Sequence, residues 1–115
     1  MKPQDLPIYR VTYELMQHVT QITRHFPRDL RASMAGRIQS KCVDLVLNVY
    51  RANAARYPKE RQKHINQILE GIQVLEMMLR LSMDMRLISV GHHARAAELT
   101  DAVGRQAYGW LKSTQ

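Results

Sequence analysis

The chain has 115 residues, of which 45% are hydrophobic, and a formal net charge of +7, so it can form one domain with its own core and needs no metal or disulfide for stability. A single cysteine, Cys42, excludes an intrachain disulfide and a multi-cysteine zinc site, and it favours a reducing, cytoplasmic location. No apolar run approaches the roughly 18 residues of a membrane span, and the N-terminus lacks the apolar core of a signal peptide, so we expect no membrane contact.

Apolar residues at steps of three and four predict a first helix from about residue 8 to residue 25. Pro7 suits the first turn of this helix, where its missing N–H is no loss. Pro27 disfavours helical geometry at Phe26 and so ends the helix. The connection to the next helix is short, which predicts two antiparallel neighbours. The apolar face comprises Ile8, Val11, Leu15, Val19, Ile22 and Phe26.

The second predicted helix, residues 28–57, has an apolar face beside a basic one. The apolar face comprises Met34, Ile38, Cys42, Leu45, Val49 and Ala52. Because Cys42 lies on this face, we interpret it as a small core residue rather than a reactive thiol. The neighbouring side carries a stripe predicted to be solvated, made of Arg37, Lys41, Asp44, Asn48, Arg51 and Ala55. Pro58 closes the helix because it disfavours the α region for the residue before it.

Positive charge is concentrated in and around this helix. From Arg24 to Lys63 there are ten Lys or Arg and three Asp or Glu, a net of +7, whereas the rest of the chain has seven of each kind. Such segregation indicates one anionic surface bound at one place, and cations spaced along a rigid helix suit the phosphates of RNA or DNA. The alternative is a charged face that serves only solubility. The predicted nucleic-acid contacts are Arg28, Arg31, Arg37, Lys41, Arg51, Arg56, Lys59, Arg61 and Lys63.

The third predicted helix, residues 59–89, is apolar on two sides. One face comprises Ile65, Leu69, Ile72, Leu79, Met83 and Leu87. The other, roughly opposite, comprises Val74, Met77, Met78, Leu81, Met85 and Ile88. Either other helices cover this second face, or it is the interface of a homo-oligomer, where flexible methionines pack well. Glu76 lies amid this apolar surface, and we expect it to pair with a cation from another helix.

The fourth predicted helix covers residues 92–112, after a stop at Gly91 that suits a left-handed cap of the helix before it. Its inward face comprises Ala96, Leu99, Val103, Ala107, Trp110 and Leu111. Four amphipathic helices with short connections and no strand predict an all-α, antiparallel up-down four-helix bundle. Residues 1–115 then form a single domain, since no repeat or linker interrupts them.

The sequence contains no motif for catalysis or cofactor binding. Its five histidines lack the HExxH spacing of a zinc site, and neither a glycine-rich phosphate loop nor GxSxG occurs. The five tyrosines form no obvious stacking motif, so base-specific reading is not expected. We therefore predict a protein that is not an enzyme and that has no metal and no cofactor.

Three segments resemble one group of bacterial proteins. HFPRDLRASMAGRIQSKCVDLVLNVYRAN is similar to the second helix of a four-helix-bundle superfamily that includes proteins encoded in ribosomal-RNA intervening sequences. LEMMLRLSMDMRLIS resembles the third helix of that superfamily. The ending VGRQAYGWLKS resembles the closing motif of one branch, the accessory variability determinants (Avd) of diversity-generating retroelements.

This resemblance spans about residues 8–113 and implies a homopentameric, positively charged barrel of four-helix protomers. It also implies binding to the reverse transcriptase of the retroelement and to RNA or DNA, in support of mutagenic reverse transcription and retrohoming. The expected partners are therefore the reverse transcriptase, nucleic acid and further copies of this chain, with no membrane. The alternative function is a structural four-helix-bundle interaction module with no nucleic-acid role.

Overall fold

In the computed structural model, which describes residues 1–115, a proline marks the start of the first long helix. A short 3₁₀ turn, Pro3–Asp5, precedes helix α1, Pro7–Ile22, and Pro7 occupies the first turn of α1. The helix ends three residues before its predicted end at residue 25, because the next residues form a turn in which the Phe26 N–H donates to the Thr23 carbonyl. Phe26 remains fully buried in the core.

The second helical segment is not the uniform helix that the sequence predicts. It consists of an α-helical turn at Arg28–Leu30, a π-helical turn at Arg31–Ala35 and the regular helix α2 at Gly36–Ala54. The Gly36 N–H donates to the Arg31 carbonyl five residues earlier, so the π turn holds one extra residue. This insertion shifts the register, since Ala35 is buried while Met34, predicted for the core face, is only half-buried.

Helix α3, Pro58–Asp84, ends five residues before its predicted end at residue 89. The chain then reverses through Arg86, whose φ of 61° is left-handed, and not through Gly91 as predicted. Gly91 lies instead in the first turn of α4, Val90–Ser113, where the N-cap Ser89 side chain accepts a backbone hydrogen bond. The turn forms early because the Arg86 N–H donates to the Met83 carbonyl and the Leu87 N–H donates to the Ser82 carbonyl, which closes the end of α3.

The four helices occupy the corners of a bundle 44 Å long and about half as wide. Each packs against the helices before and after it in the chain, and α1 also packs against α4, which closes the bundle. Short connections make successive helices antiparallel. The predicted all-α four-helix architecture is thus confirmed. No helix combines the length and the apolar character that crossing a membrane requires.

The predicted apolar faces form one continuous core, in which Leu15, Ile38, Ile72 and Val103 represent the four helices. Ile68 and Leu75 of α3 are also fully buried in this core, although the sequence did not predict them for the first apolar face of that helix.

The ion pair predicted for Glu76 on α3 does not form. The side chain is exposed and forms no ion pair, whereas the sequence predicted a cation partner from another helix. The reason is its position: Glu76 lies on the side of α3 next to α4, where it lines a shallow pocket with His93 and Asp101. Water can therefore solvate the carboxylate.

Candidate nucleic-acid interface

The basic stripe predicted on α2 does not face water along its whole length. Arg37 and Arg51 are exposed, but Lys41 is half-buried, and its Nζ lies 4.0 Å from Asp44 Oδ2. Asn48, predicted to be solvated, is only 8% exposed, and its buried Oδ1 has no hydrogen-bond partner. The middle of the stripe therefore turns from the solvent toward α3.

A groove between α2 and α3 brings the basic stripe and the predicted oligomer face together. This α2–α3 groove has a volume of about 700 Å³, with Arg37 and Lys41 on its α2 side and Met77 and Leu81 on its α3 side. The sequence predicted nucleic-acid binding for Arg37 and Lys41 and a subunit interface for Met77 and Leu81. Because they share one surface in the structure, a partner that covers the apolar residues also covers two of the cations.

The α2–α3 groove continues into a polar depression of about 380 Å³ nearer the C-terminal end of α2. Asn48, Gln67 and Glu70 line this depression, and of these only Asn48 belongs to the stripe predicted on α2. Gly71 leaves room here for the Leu45 side chain of α2, since a Cβ at this position would lie 2.9 Å from Leu45 Cδ2.

The predicted oligomer face of α3 is largely, but not entirely, on the surface. Met77 is 65% exposed, and Val74, Leu81 and Met85 are also exposed, while Met78 is half-buried. Ile88 is the exception, because it is 6% exposed and belongs to the core of the bundle. Its inclusion in a surface patch was wrong, because α3 ends at Asp84 and the following turn directs Ile88 inward.

The remaining predicted cations fall into two groups at opposite ends of the bundle. Arg28 and Arg31 precede α2, whereas Arg56, Lys59 and Lys63 follow it. The 19 residues of α2 alone span about 28 Å at 1.5 Å per residue. The sequence predicted one basic surface, but the cations form two clusters at the ends of the bundle, with Arg37 and Lys41 in the groove between them.

Two of the predicted contacts have a structural task in the protomer. Arg61 is half-buried, and its guanidinium donates to the Ala52 carbonyl at 3.0 Å and to the Ala55 carbonyl at 2.8 Å. Ala52 lies in the last turn of α2 and Ala55 is its C-cap, where carbonyls lack helical partners. Arg31 likewise donates from Nε to the Phe26 carbonyl at 3.2 Å. Their charge is thus partly committed to holding the turns.

The turn between α2 and α3 exposes an aromatic ring among cations. Tyr57 is 69% exposed and has an extended backbone, with φ −114° and ψ 144°, immediately before Pro58. Arg56 and Lys59 on either side of it are exposed as well. The sequence does not single out Tyr57, because the five tyrosines form no common motif, but the basic residues on both sides of Tyr57 are a signal that it carries.

A separate polar cluster joins α1 to the start of α4. Arg95 forms ion pairs with Glu14 and with Glu98, and the rings of His18 and His92 lie 6.0 Å apart. His18 and His92, which are 74 positions apart in sequence, are therefore neighbours in the structure. No three His, Cys, Asp or Glu side chains are grouped closely enough to hold a metal ion.

These features define a basic four-helix-bundle protein with charged ends and a partly apolar groove along one side. The chain belongs to the bAvd-like family, whose model matches residues 7–114. The resemblance to accessory variability determinants that the sequence indicates is thus confirmed. No curated protein matches the chain.

Proposed function

We propose that this protein is a non-catalytic accessory factor of a diversity-generating retroelement. It binds the reverse transcriptase of the element and RNA or DNA, and thereby supports mutagenic reverse transcription and retrohoming in the cytoplasm. The observation that carries this proposal is the family match over residues 7–114, nearly the whole chain. The net charge of +7 supports the nucleic-acid part, since phosphates release counterions when they meet protein cations.

We assign the main phosphate contacts to the cluster at the α2–α3 turn, which comprises Arg51, Arg56, Lys59 and Lys63. All four are exposed, and between Arg51 and Lys63 the only acidic residue is Glu60. Arg28 provides a weaker contact at the other end of the bundle, because its neighbour Asp29 offsets its charge, whereas the single Glu60 in the turn cluster stands among four cations.

Arg37 and Lys41 have a different role in this proposal. They line the α2–α3 groove together with Met77 and Leu81, so they become enclosed when a protein partner occupies the groove. We propose that this partner is a second copy of the chain, within the homopentamer that the family resemblance implies. Enclosed cations require acidic counterparts, so we expect the neighbouring subunit to supply carboxylates there.

Two double variants with equal loss of charge test these assignments. Arg56→Gln with Lys59→Gln changes the turn, and Arg37→Gln with Lys41→Gln changes the groove, each removing two of the positive charges. The turn variant should bind single-stranded RNA more weakly, with a log–log salt slope smaller by about 1.4, at about 0.7 per lost phosphate contact. The groove variant should keep its RNA affinity per subunit and change its assembly state instead.

Capture by a tagged reverse transcriptase from the same retroelement tests the other half of the proposal. The native protein should be retained by the enzyme and should increase cDNA synthesis on a template RNA. If the native chain binds neither the reverse transcriptase nor RNA, the accessory role is wrong.

The second candidate function is a protein-interaction module without nucleic acid. The α2–α3 groove favours it, because exposed apolar residues at a rim of charges are typical of protein contacts. In that case both double variants would leave RNA binding equally weak, and only the groove variant would lose its partner.

A further inference from the structure

Tyr57 is an aromatic side chain with no role in the fold. It is more exposed than any other tyrosine in the chain, its ring packs against no other aromatic ring, and its hydroxyl forms no hydrogen bond within the protomer. Exposing a ring of this size costs hydrophobic free energy that burial would recover. An unburied tyrosine in a well-packed bundle is therefore available to a ligand.

The backbone holds this ring in a defined place. Tyr57 precedes Pro58, which restricts it to the extended region that it occupies, and it is the N-cap of α3. On the other side, the chain is fixed by the Arg61 guanidinium, which binds the Ala52 and Ala55 carbonyls across the turn. The ring thus projects from a short, braced turn and not from a loose loop.

The charge around the ring selects the chemistry of the ligand. Arg56 and Lys59 flank Tyr57, and Arg51, near the end of α2, and Lys63, near the start of α3, are each six residues from it in sequence. A protein partner would have to dehydrate these cations, and lysines are depleted from the cores of protein interfaces. A nucleic acid strand instead brings phosphates for the cations and bases for the ring.

Double-stranded nucleic acid does not fit this arrangement, because the faces of its bases are covered by neighbouring base pairs. A single strand or a loop exposes base faces, and proteins that bind such strands combine cations along the backbone with aromatic platforms for the bases. We propose that Tyr57 stacks on an unpaired base while Arg56 and Lys59 hold the adjoining phosphates. This inference rests on the proposed nucleic-acid binding and adds that the α2–α3 turn prefers unpaired strands.

The experiment compares Tyr57→Ala and Tyr57→Phe with the native protein. The probes are a fluorescent oligouridine of about 12 nucleotides and an RNA duplex of the same length, titrated over a range of salt. Tyr13→Ala is the matched control, since Tyr13 is also exposed but lies on α1 beside Glu14. Circular dichroism checks that each variant keeps its helices.

We expect Tyr57→Ala to weaken oligouridine binding about five- to 150-fold, the range for loss of one stacked base. The salt slope should stay unchanged, because the ring carries no charge. Tyr57→Phe and Tyr13→Ala should bind like the native protein, and duplex affinity should be the same in all four proteins.

Three results would overturn the inference, and they separate it from the function on which it rests. If Tyr57→Ala binds oligouridine normally while Arg56→Gln with Lys59→Gln binds weakly, the stacking is wrong and the phosphate contacts stand. An equal loss on strand and duplex means that the ring does not select unpaired bases. If the native protein binds neither probe, the proposed nucleic-acid function fails and the inference fails with it.

Discussion

Among single residues, Arg86 holds a backbone conformation that favours glycine. Its φ is 61°, and it follows the C-cap Met85 of α3. The Leu87 N–H donates to the Ser82 carbonyl and the Arg86 N–H donates to the Met83 carbonyl, both at 2.9 Å. This pair of hydrogen bonds is the Schellman motif, in which glycine is common because a Cβ clashes in left-handed geometry.

Replacing Arg86 by glycine should therefore stabilise the protein. The left-handed conformation costs a non-glycine residue roughly 1–2 kcal/mol, part of which is offset by the greater freedom of glycine in the unfolded chain, so we expect a gain of about 1 kcal/mol. Urea unfolding followed by circular dichroism measures it. Arg86→Ala is the control, since it removes the side chain and keeps the Cβ. A glycine variant no more stable than the alanine variant would contradict the prediction.

Cys42 is a second residue whose surroundings make a measurable prediction. It is fully buried, and burial raises the pKa of its thiol to about 12 from 9.0. The unfolded thiol ionises near pH 9, so between about pH 9 and 12 the unfolded chain binds fewer protons than the folded one. The contribution of the buried Cys42 thiol to the free energy of unfolding is thus complete below pH 9. Above pH 9 it falls by about 1.4 kcal/mol per pH unit.

Comparison with Cys42→Ala isolates this effect from the other groups that titrate in alkali. Between about pH 8 and pH 10.5, the native protein should lose about 2 kcal/mol more than the alanine variant in urea unfolding. The native thiol should also react slowly with iodoacetamide until the chain unfolds, because little thiolate is present at neutral pH. Fast labelling of the folded protein would show that Cys42 is not in the core.

At the scale of elements, Arg61 connects the end of α2 to the start of α3. Its two hydrogen bonds to main-chain carbonyls satisfy groups that have no helical partner. Because hydrogen bonds to charged groups contribute about 1.5–3 kcal/mol, we expect Arg61→Gln to lower the free energy of unfolding by about 2 kcal/mol. Lys59→Gln, an exposed neighbour, should change it by less than about 0.5 kcal/mol. If both substitutions change the free energy of unfolding equally, the hydrogen bonds of Arg61 do not stabilise the turn.

The sequence predicted the existence of all four helices because apolar spacing reports which face of a helix is buried. It predicted their ends less well. The turns after α1 and α3 are closed by main-chain hydrogen bonds, which have no signal in the order of side chains. The residue with the left-handed backbone is Arg86, whereas the sequence predicted a glycine there. The π turn at Arg31–Ala35 had no recognisable pattern, and with it Ala35 is buried while Met34 packs half-buried at the edge of the core.

The sequence predicted individual residues of the candidate site but not which of them share one surface. The spacing of Arg37 and Lys41 gives their direction around α2, and that of Met77 and Leu81 gives their direction around α3. Neither spacing says which neighbouring helix each direction meets. Only the packing of α2 on α3 places these cations and apolar residues in one groove.

At the scale of the whole molecule, the order of the helices determines where the charge lies. The cations are close together in sequence, yet α2 carries the chain from one end of the bundle to the other. A single protomer therefore offers two small basic ends. A ring of protomers would repeat each end around its axis, so that weak phosphate contacts act together on one strand.

A ring also constrains the contacts between subunits. In a five-membered ring each subunit uses two different surfaces, because the interface is head-to-tail. Val74, Met77, Leu81 and Met85 beside the α2–α3 groove provide one exposed apolar surface. Val43 and Leu47, one turn apart on α2, are exposed outside that groove and provide a second.

We therefore predict that Met77→Glu with Leu81→Glu and Val43→Glu with Leu47→Glu each prevent assembly, because the new carboxylates must lose their water where two apolar surfaces meet. In the groove, they also repel the carboxylates that the neighbouring subunit is expected to supply to Arg37 and Lys41. Light scattering at low micromolar protein should give about five times the 13.4 kDa protomer for the native chain and one protomer for each variant.

Mixing the two variants tests whether the interface is head-to-tail. Each still has the surface that the other lacks, so a head-to-tail interface gives one-to-one dimers and no ring. A monomeric native chain would refute the assembly, and a mixture that stays monomeric would place the second surface elsewhere than at Val43 and Leu47.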